Sequence, residues 1–273
     1  MNIIPRSLLK KWEVEQCFSI IETNFGVLCY LYSKKYGYCI AKKTKNIKDD
    51  VHSSEINSYL LLSKEFMCNM LDFSLNESII LLEYLPYQYN NNYVSSAMIL
   101  SMFNKIKKYN KIDIDKSQNN YFDLLLSNLK FLYDNIAFEK YIEQYLDAVR
   151  MYLSKFINCK LYFLHGDLTQ SNIFIKGNKL VAIDPIGYIA PFCFEIARFI
   201  GTEIYFNPNV SQIKNWFNMF SSIESKNDLY YATLIDIKLR MINSLYEDTA
   251  EYNFEDWSKC CNDLISIKNQ ILK

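Results

Sequence analysis

The run His165-Gly166-Asp167-Leu168-Thr169-Gln170-Ser171-Asn172-Ile173, followed by Ile183-Asp184-Pro185, holds two acids and an amide at a spacing that suits one kind of chemistry. Phosphoryl transfer needs an acceptor hydroxyl set in line with a γ-phosphate, and a divalent metal to neutralise charge on the phosphates. An Asp on a loop orients and deprotonates the hydroxyl. An Asn five residues later turns back to a metal ion. A second Asp, at the end of the next hairpin, joins metal to phosphates, since magnesium prefers hard oxygen ligands. Asp167 is thus the candidate catalytic residue, and Asn172 and Asp184 are the candidate metal ligands. His165 is read as holding the loop through hydrogen bonds, because a loose transition state asks little of a base. Taken singly, a core histidine, a turn aspartate and a helix-capping asparagine are commonplace; their joint order singles them out.

Periodicity supplies elements to carry such a loop. Cys17 to Ile21, Val27 to Tyr32 and Tyr38 to Lys42 are rich in β-formers, and Lys35-Tyr36-Gly37 punctuates the last two as a hairpin. A helix is predicted over Ser54 to Ser63. Two further strands follow at Leu71 to Leu75 and Ser78 to Tyr84, with Pro86 marking the exit. Five strands and one helix make a small lobe over residues 1–86. From 87 to 273 helical period dominates, as in Leu125, Leu129, Leu132 and Ile136. A strand at Leu161 to Leu164 and a hairpin at Ile173 to Asp184, turned by Lys176-Gly177-Asn178, interrupt the helices. The expected class is α+β: a small antiparallel sheet lobe and a larger, mostly helical lobe.

Composition removes other classes. Lys plus Arg equals Asp plus Glu at 30 each, so no overall field favours nucleic acid or an anionic membrane. The longest apolar runs, such as Ile79 to Leu82, fall far short of the roughly 20 residues a spanning helix needs. Residues 1–11 lack the apolar core of a secretory signal, which reads as a cytoplasmic start. Eight cysteines without a C-x-x-C and only two histidines suggest neither a zinc site nor a disulfide framework.

The H-G-D-x4-N loop with its I-D-P resembles the aminoglycoside phosphotransferase and choline kinase superfamily. The likeness runs without a gap through Ile186-Gly187 to Phe194-Glu195-Ile196-Ala197, and that stretch is similar to the streptomycin 6-phosphotransferase and hydroxyurea phosphotransferase branch. Three positions depart from the branch: Ile186 stands for a usual Lys, Ala190-Pro191 for a usual Asp, and Glu195 for the helix Asp. The resemblance implies a bilobal kinase-like fold, ATP (or GTP) and Mg2+ as cofactors, and Glu195 in structural support of the loop.

Carried upstream, it implies a lysine on the third strand that holds the α- and β-phosphates and a helix glutamate that aims it. Lys42 is favoured for the first, with Lys43 a competitor because it shares a strand face with Ala41; Glu55 takes the second. The turn Glu22 to Gly26 is the expected phosphate loop, with backbone N–H groups and the Thr23 hydroxyl as contacts, although it has one glycine rather than three. Glu83 and Leu85, in Glu83-Tyr84-Leu85, fall where backbone would hydrogen-bond adenine. The acidic residues Glu247, Asp248 and Glu251, with Glu255 and Asp256 beyond them, would hold a cationic amino-sugar or guanidino-sugar.

The expected function is therefore a small-molecule kinase acting on a hydroxylated, cationic acceptor of the streptomycin type. A metabolite kinase for a choline-, methylthioribose- or homoserine-like alcohol and a non-catalytic scaffold are the alternatives. Retention of Asp167, Asn172 and Asp184 favours catalysis, and the lack of a D-F-G or A-P-E after Asp184 disfavours a protein kinase.

Overall fold

The computed structural model describes residues 3–23, 26–44, 49–89, 94–109, 120–245 and 253–273. They divide into two compact units, Met1–Tyr89 with Asn172–Ile186, and Asn90–Ser171 with Gly187–Lys273.

The first unit is built on a five-stranded antiparallel sheet in the order β1-β2-β3-β5-β4. Its strands are β1 (Val14–Glu22), β2 (Gly26–Ser33), β3 (Gly37–Thr44), β4 (Met70–Ser74) and β5 (Ile79–Glu83). The two-residue period sorts their side chains. Val27, Cys29, Leu31, Cys39 and Ala41 point to one face, where they bury against Ile4, Leu8 and Trp12. Each large aliphatic side chain so buried contributes about 1.5–3 kcal/mol. Leu8 lies on a short helix, α1 (Arg6–Lys11), to which the sequence reading assigned no element. At six residues it is too short to show a helical period, and its sheet contacts, not its propensity, hold it. The unit therefore has two helices where one was expected; the other, α2 (Asp49–Leu61), begins earlier than Ser54.

A hairpin, β8 (Ile173–Lys176) and β9 (Lys179–Ala182), also belongs to this unit. It pairs with β6 (Tyr87–Gln88) through β8, and Cys68 N donates to Ala182 O at 2.8 Å while Ala182 N donates to Phe66 O at 2.7 Å. A single cut after residue 86 misses this return, because backbone pairing joins segments about a hundred residues apart and no local pattern encodes that.

The second unit is helical: α3 (Ser96–Tyr109), α4 (Tyr121–Asp134), α5 (Ile142–Lys155), α6 (Cys193–Phe206), α7 (Val210–Phe220), α8 (Lys226–Asn243), α9 (Phe254–Ser266) and α10 (Lys268–Ile271). Two short strands, β7 (Leu161–Leu164) and β10 (Tyr188–Pro191), pair antiparallel in it. In α6 every residue from Cys193 to Ile204 is buried, as are most of α8, so these two helices form the centre. A helix buried all round can carry charge only where the charge is paired. Arg198 of α6 and Asp236 of α8 meet that condition, and Glu195 of α6 is held by backbone donors, as described next. No helix among the described residues is long and apolar enough to cross a membrane.

Candidate active site

In the second unit the H-G-D loop leaves β7 and is fixed by backbone before any side chain acts. Gly187 N donates to His165 O at 3.0 Å, extending the β7–β10 pairing by one link. Gly166 has φ +82°, and a Cβ there would lie 2.5 Å from Tyr188 Cδ2, so this position accepts only glycine. The Glu195 carboxylate accepts from His165 N at 2.6 Å and from Gly166 N at 3.3 Å. His165 is fully buried, and its Nδ1 accepts from Asp167 N at 3.3 Å. Three successive backbone amides of the loop are thus held by the two side chains His165 and Glu195.

Asp167, a quarter exposed, takes two hydrogen bonds from Arg198, Nε at 2.9 Å and Nη2 at 2.8 Å, both to Oδ1. Behind that pair stands Asp236, which accepts from Tyr121 Oη at 2.9 Å and lies 3.8 Å from Arg198 Nη1 and 3.9 Å from Arg240 Nε. Burial by itself would raise the Asp167 pKa; the Arg198 and Arg240 guanidiniums outweigh it and hold the carboxyl below the usual range. Glu195 goes the other way. Burial, reinforced by the Asp167 and Asp236 carboxylates and only partly countered by its two backbone donors, pushes it up to about 8.

In the first unit, β3 presents Lys42 on the face opposite Ala41, beside Ile40 and Leu28. Lys42 Nζ lies 2.9 Å from Glu55 Oε1 and 3.1 Å from Asp184 Oδ1. Burial would lower the lysine pKa, but the Asp184 and Glu55 carboxylates raise it above its ordinary value, so it stays charged. Lys43 is on the other face and donates to Ile3 O at 3.3 Å, away from this cluster. Asp184 has φ +58°, and its N–H donates to Tyr59 Oη at 3.0 Å. Ile183 N donates to Asn172 O at 2.9 Å, which ties the Asn to the Ile183-Asp184 segment.

Beside Lys42 opens a cavity of about 320 Å³ whose lining joins the apolar Leu28, Ile40, Leu82, Leu85 and Ile183 to the charged Lys42, Glu83 and Asp184. A mostly apolar cavity with a few charged groups suits a nucleotide, with apolar side chains for the base and the lysine for the phosphates. Asp184, side chain 40% exposed and already against a cation, and the amide of Asn172 offer hard oxygens for a divalent ion.

The remaining expected contacts are placed as follows. Leu85 lines the cavity. The Glu83 N–H is taken by Asn69 O at 3.0 Å, and its carboxylate accepts from Asn69 N at 2.9 Å and Lys176 Nζ at 2.7 Å. The Thr23 hydroxyl closes its own turn, accepting from Gly26 N at 3.0 Å and donating to Gly26 O at 3.1 Å. Asn24 and Phe25 of that turn, and Glu247, Asp248 and Glu251, lie outside the described residues. Arg198, Asp236, Arg240 and Tyr59 escaped the sequence reading. Arg198 had a signal, a charge inside an otherwise apolar helical run three residues after Glu195; Tyr59 had only its four-residue spacing from Glu55.

A scan of protein-family models and a search of curated proteins give no match to this sequence. Solved structures do match over nearly the whole chain. Choline kinase LicA from Streptococcus pneumoniae aligns with a TM-score of 0.68 at 13% identity, covering 95% of this chain and 96% of its own. A thermostable mutant of aminoglycoside phosphotransferase APH(4)-Ia gives 0.65 at 12%, covering 98% and 99%. A choline/ethanolamine kinase family protein from Mesorhizobium loti gives 0.67 at 10%, covering 97% and 91%. LicA has also been solved with AMP, and the aminoglycoside phosphotransferase with ADP and hygromycin B. At these identities the likeness establishes the fold: the chain has the kinase-like α+β fold of these structures, a five-stranded antiparallel sheet joined to a mostly helical remainder.

Proposed function

We propose that the protein transfers the γ-phosphoryl group of ATP, or GTP, to a hydroxyl of a small molecule. The observation that carries this reading is Lys42 Nζ lying between Glu55 Oε1 at 2.9 Å and Asp184 Oδ1 at 3.1 Å, in the lining of the cavity. A buried lysine flanked by two carboxylates is held charged and aimed, ready for phosphate oxygens.

Each set of residues then has one task. The apolar cavity takes the base, and Lys42, aimed by Glu55, takes phosphate oxygens. Asp184 and Asn172 would hold Mg2+, which when bound neutralises charge on the phosphates. Asp167 accepts a hydrogen bond from the acceptor hydroxyl and orients its oxygen for in-line attack. The γ P–O bond to the leaving ADP breaks as the new P–O bond forms, and the hydroxyl proton passes to Asp167. Arg198 keeps Asp167 ionised, and Glu195 with His165 holds the loop that presents it.

The gapless likeness from His165 to Ala197 makes a streptomycin-type aminoglycoside the first acceptor to test, in a cytoplasmic enzyme conferring tolerance to that drug. LicA and the Mesorhizobium protein favour a second reading, an amino-alcohol acceptor, by fold alone. A nucleotide-release screen over aminoglycosides, choline, ethanolamine and homoserine, with products weighed by mass spectrometry, decides between them. Nucleotide hydrolysis or transfer in no arm, together with no ATP or GTP binding in a thermal-shift assay, would sink the kinase reading in favour of a scaffold.

A further inference from the structure

We propose that Tyr59 is a positioning residue for the metal-binding aspartate: its hydroxyl, by accepting the Asp184 N–H, holds Asp184 in the left-handed backbone conformation that turns its carboxylate toward Lys42. This rests on the nucleotide and metal roles proposed for Lys42 and Asp184.

Three non-glycine residues among those described have positive φ: Glu13, Ser78 and Asp184. Glu13 and Ser78 sit in turns between elements, where the left-handed region serves to reverse the chain. Asp184 does not; it follows β9 and lines the cavity. A left-handed L-residue is strained, and such strain persists only where surroundings enforce it, most often at functional sites. Two hydrogen bonds do so here. Ile183 N donates to Asn172 O at 2.9 Å and Asp184 N to Tyr59 Oη at 3.0 Å.

Tyr59 is well placed for that task. It stands four residues after Glu55 on α2, so the two share a face of the helix. One helix face therefore fixes both members of the ion pair, Lys42 through the Glu55 carboxylate and Asp184 through the Tyr59 hydroxyl. Tyr59 is 5% exposed, and burial pushes its phenol well above the usual range, so the hydroxyl stays neutral at any working pH. A neutral hydroxyl accepts from an amide without adding charge next to Asp184, which a carboxylate in its place would do. Phenylalanine would fill the same volume and lose only the acceptor.

The test uses the full chain as wild type, Tyr59→Phe, Asp184→Asn and the double variant, each checked for a cooperative melting transition above the assay temperature without ligand. Calorimetric titration with AMP-PNP, with and without magnesium, is the readout. Tyr59→Phe is expected to leave metal-free AMP-PNP affinity unchanged and to weaken apparent magnesium affinity about 10-fold, as loss of a group that orients a metal ligand does. In the double variant Tyr59→Phe is expected to cost nothing further, because it acts through Asp184. A wild type with clear metal dependence that Tyr59→Phe leaves intact overturns the positioning role alone, as does full additivity in the double variant. A wild type without metal-dependent binding overturns both this role and the kinase reading.

Discussion

Arg198 grips Asp167 through one carboxylate oxygen, with Nε at 2.9 Å and Nη2 at 2.8 Å from Oδ1. Hydrogen bonds between two ionised groups are roughly twice as strong as neutral ones, and the pair is mostly removed from water. The grip has two consequences for a transfer reaction. It fixes the direction in which Asp167 presents its carboxylate, and it lowers the basicity of that carboxylate. A weak base suits a loose transition state, in which the hydroxyl need not lose its proton early. In the proposed reaction Asp167 would work mainly by orientation.

The first prediction follows for Asp167 itself. Asp167→Asn is expected to lower turnover by about 10²–10⁴, the usual span for a general base, while nucleotide affinity stays nearly unchanged. Asn is preferred to Ala because it still offers Arg198 an oxygen; Ala would leave the buried guanidinium only the more distant Asp236, 3.8 Å from Nη1. Turnover and nucleotide titration on one preparation settle the matter. A folded Asn variant with near-normal turnover removes Asp167 from the chemistry.

Arg198 gives the second. Replacing the guanidinium by Arg198→Gln removes the cation that holds Asp167 low, so the acid limb of kcat/KM is expected to move to higher pH. A depressed carboxylate stabilises the fold above its unfolded pKa of about 3.9 and loses that contribution as pH falls through its lower folded value. Without Arg198 the depression is relieved, so this acid-side loss shrinks, and burial, which raises the Asp167 pKa, pushes the slope the other way. An acid limb that stays in place would mean that Asp167 is not the group titrating in kcat/KM.

How much of this was legible in the sequence differs between the parts. Asp167, Asn172 and Asp184 could be singled out because they stand on one short, contiguous stretch. The five strands were found because each is rich in β-formers, as β5 shows in Ile79–Glu83. What escaped is long-range. Arg198 meets Asp167 across 31 residues, Tyr59 meets Asp184 across 125, and Tyr121 meets Asp236 across 115. In a single sequence such partners are an ordinary helix charge and ordinary buried tyrosines. The same holds for the 172–186 hairpin, whose pairing with Tyr87–Gln88 no local period announces. The Lys42 and Lys43 ambiguity was one of register: two adjacent residues on a strand face opposite ways, and only the burial of Ala41 under α1 tells which way the cavity lies.

That register yields the third prediction. Lys42→Ala is expected to cut turnover by about 10²–10³, the usual effect of removing one preorganised charge from a transition state. Lys43→Ala, which loses only a contact to Ile3 O, is expected to stay near wild type. Side-by-side steady-state assays with ATP show which holds. Equal losses in the two variants would place the phosphates on neither lysine.

The last prediction concerns Glu195, whose carboxyl is pushed up to about 8 while it braces His165 and Gly166. An acid whose folded pKa exceeds its unfolded value, about 4.3, binds more protons folded than unfolded between the two. Stability therefore falls as pH rises through that window, from about 4.3 to about 8, by an amount on the order of 5 kcal/mol for a shift of this size. Glu203, raised to about 7 by burial, slopes the same way. Urea unfolding at several pH values between 5 and 8.5, in wild type and in Glu195→Gln, is the measurement, with those settings chosen to span about the same window. The Gln variant is expected to be less stable throughout, because an amide has one acceptor oxygen for two backbone donors. Its stability should nonetheless depend more weakly on pH, with the Glu203 slope left behind. Slope, unlike offset, does not respond to a lost packing contact. A variant with the wild-type slope would show that Glu195 keeps its charge in the fold and that its two backbone donors outweigh burial.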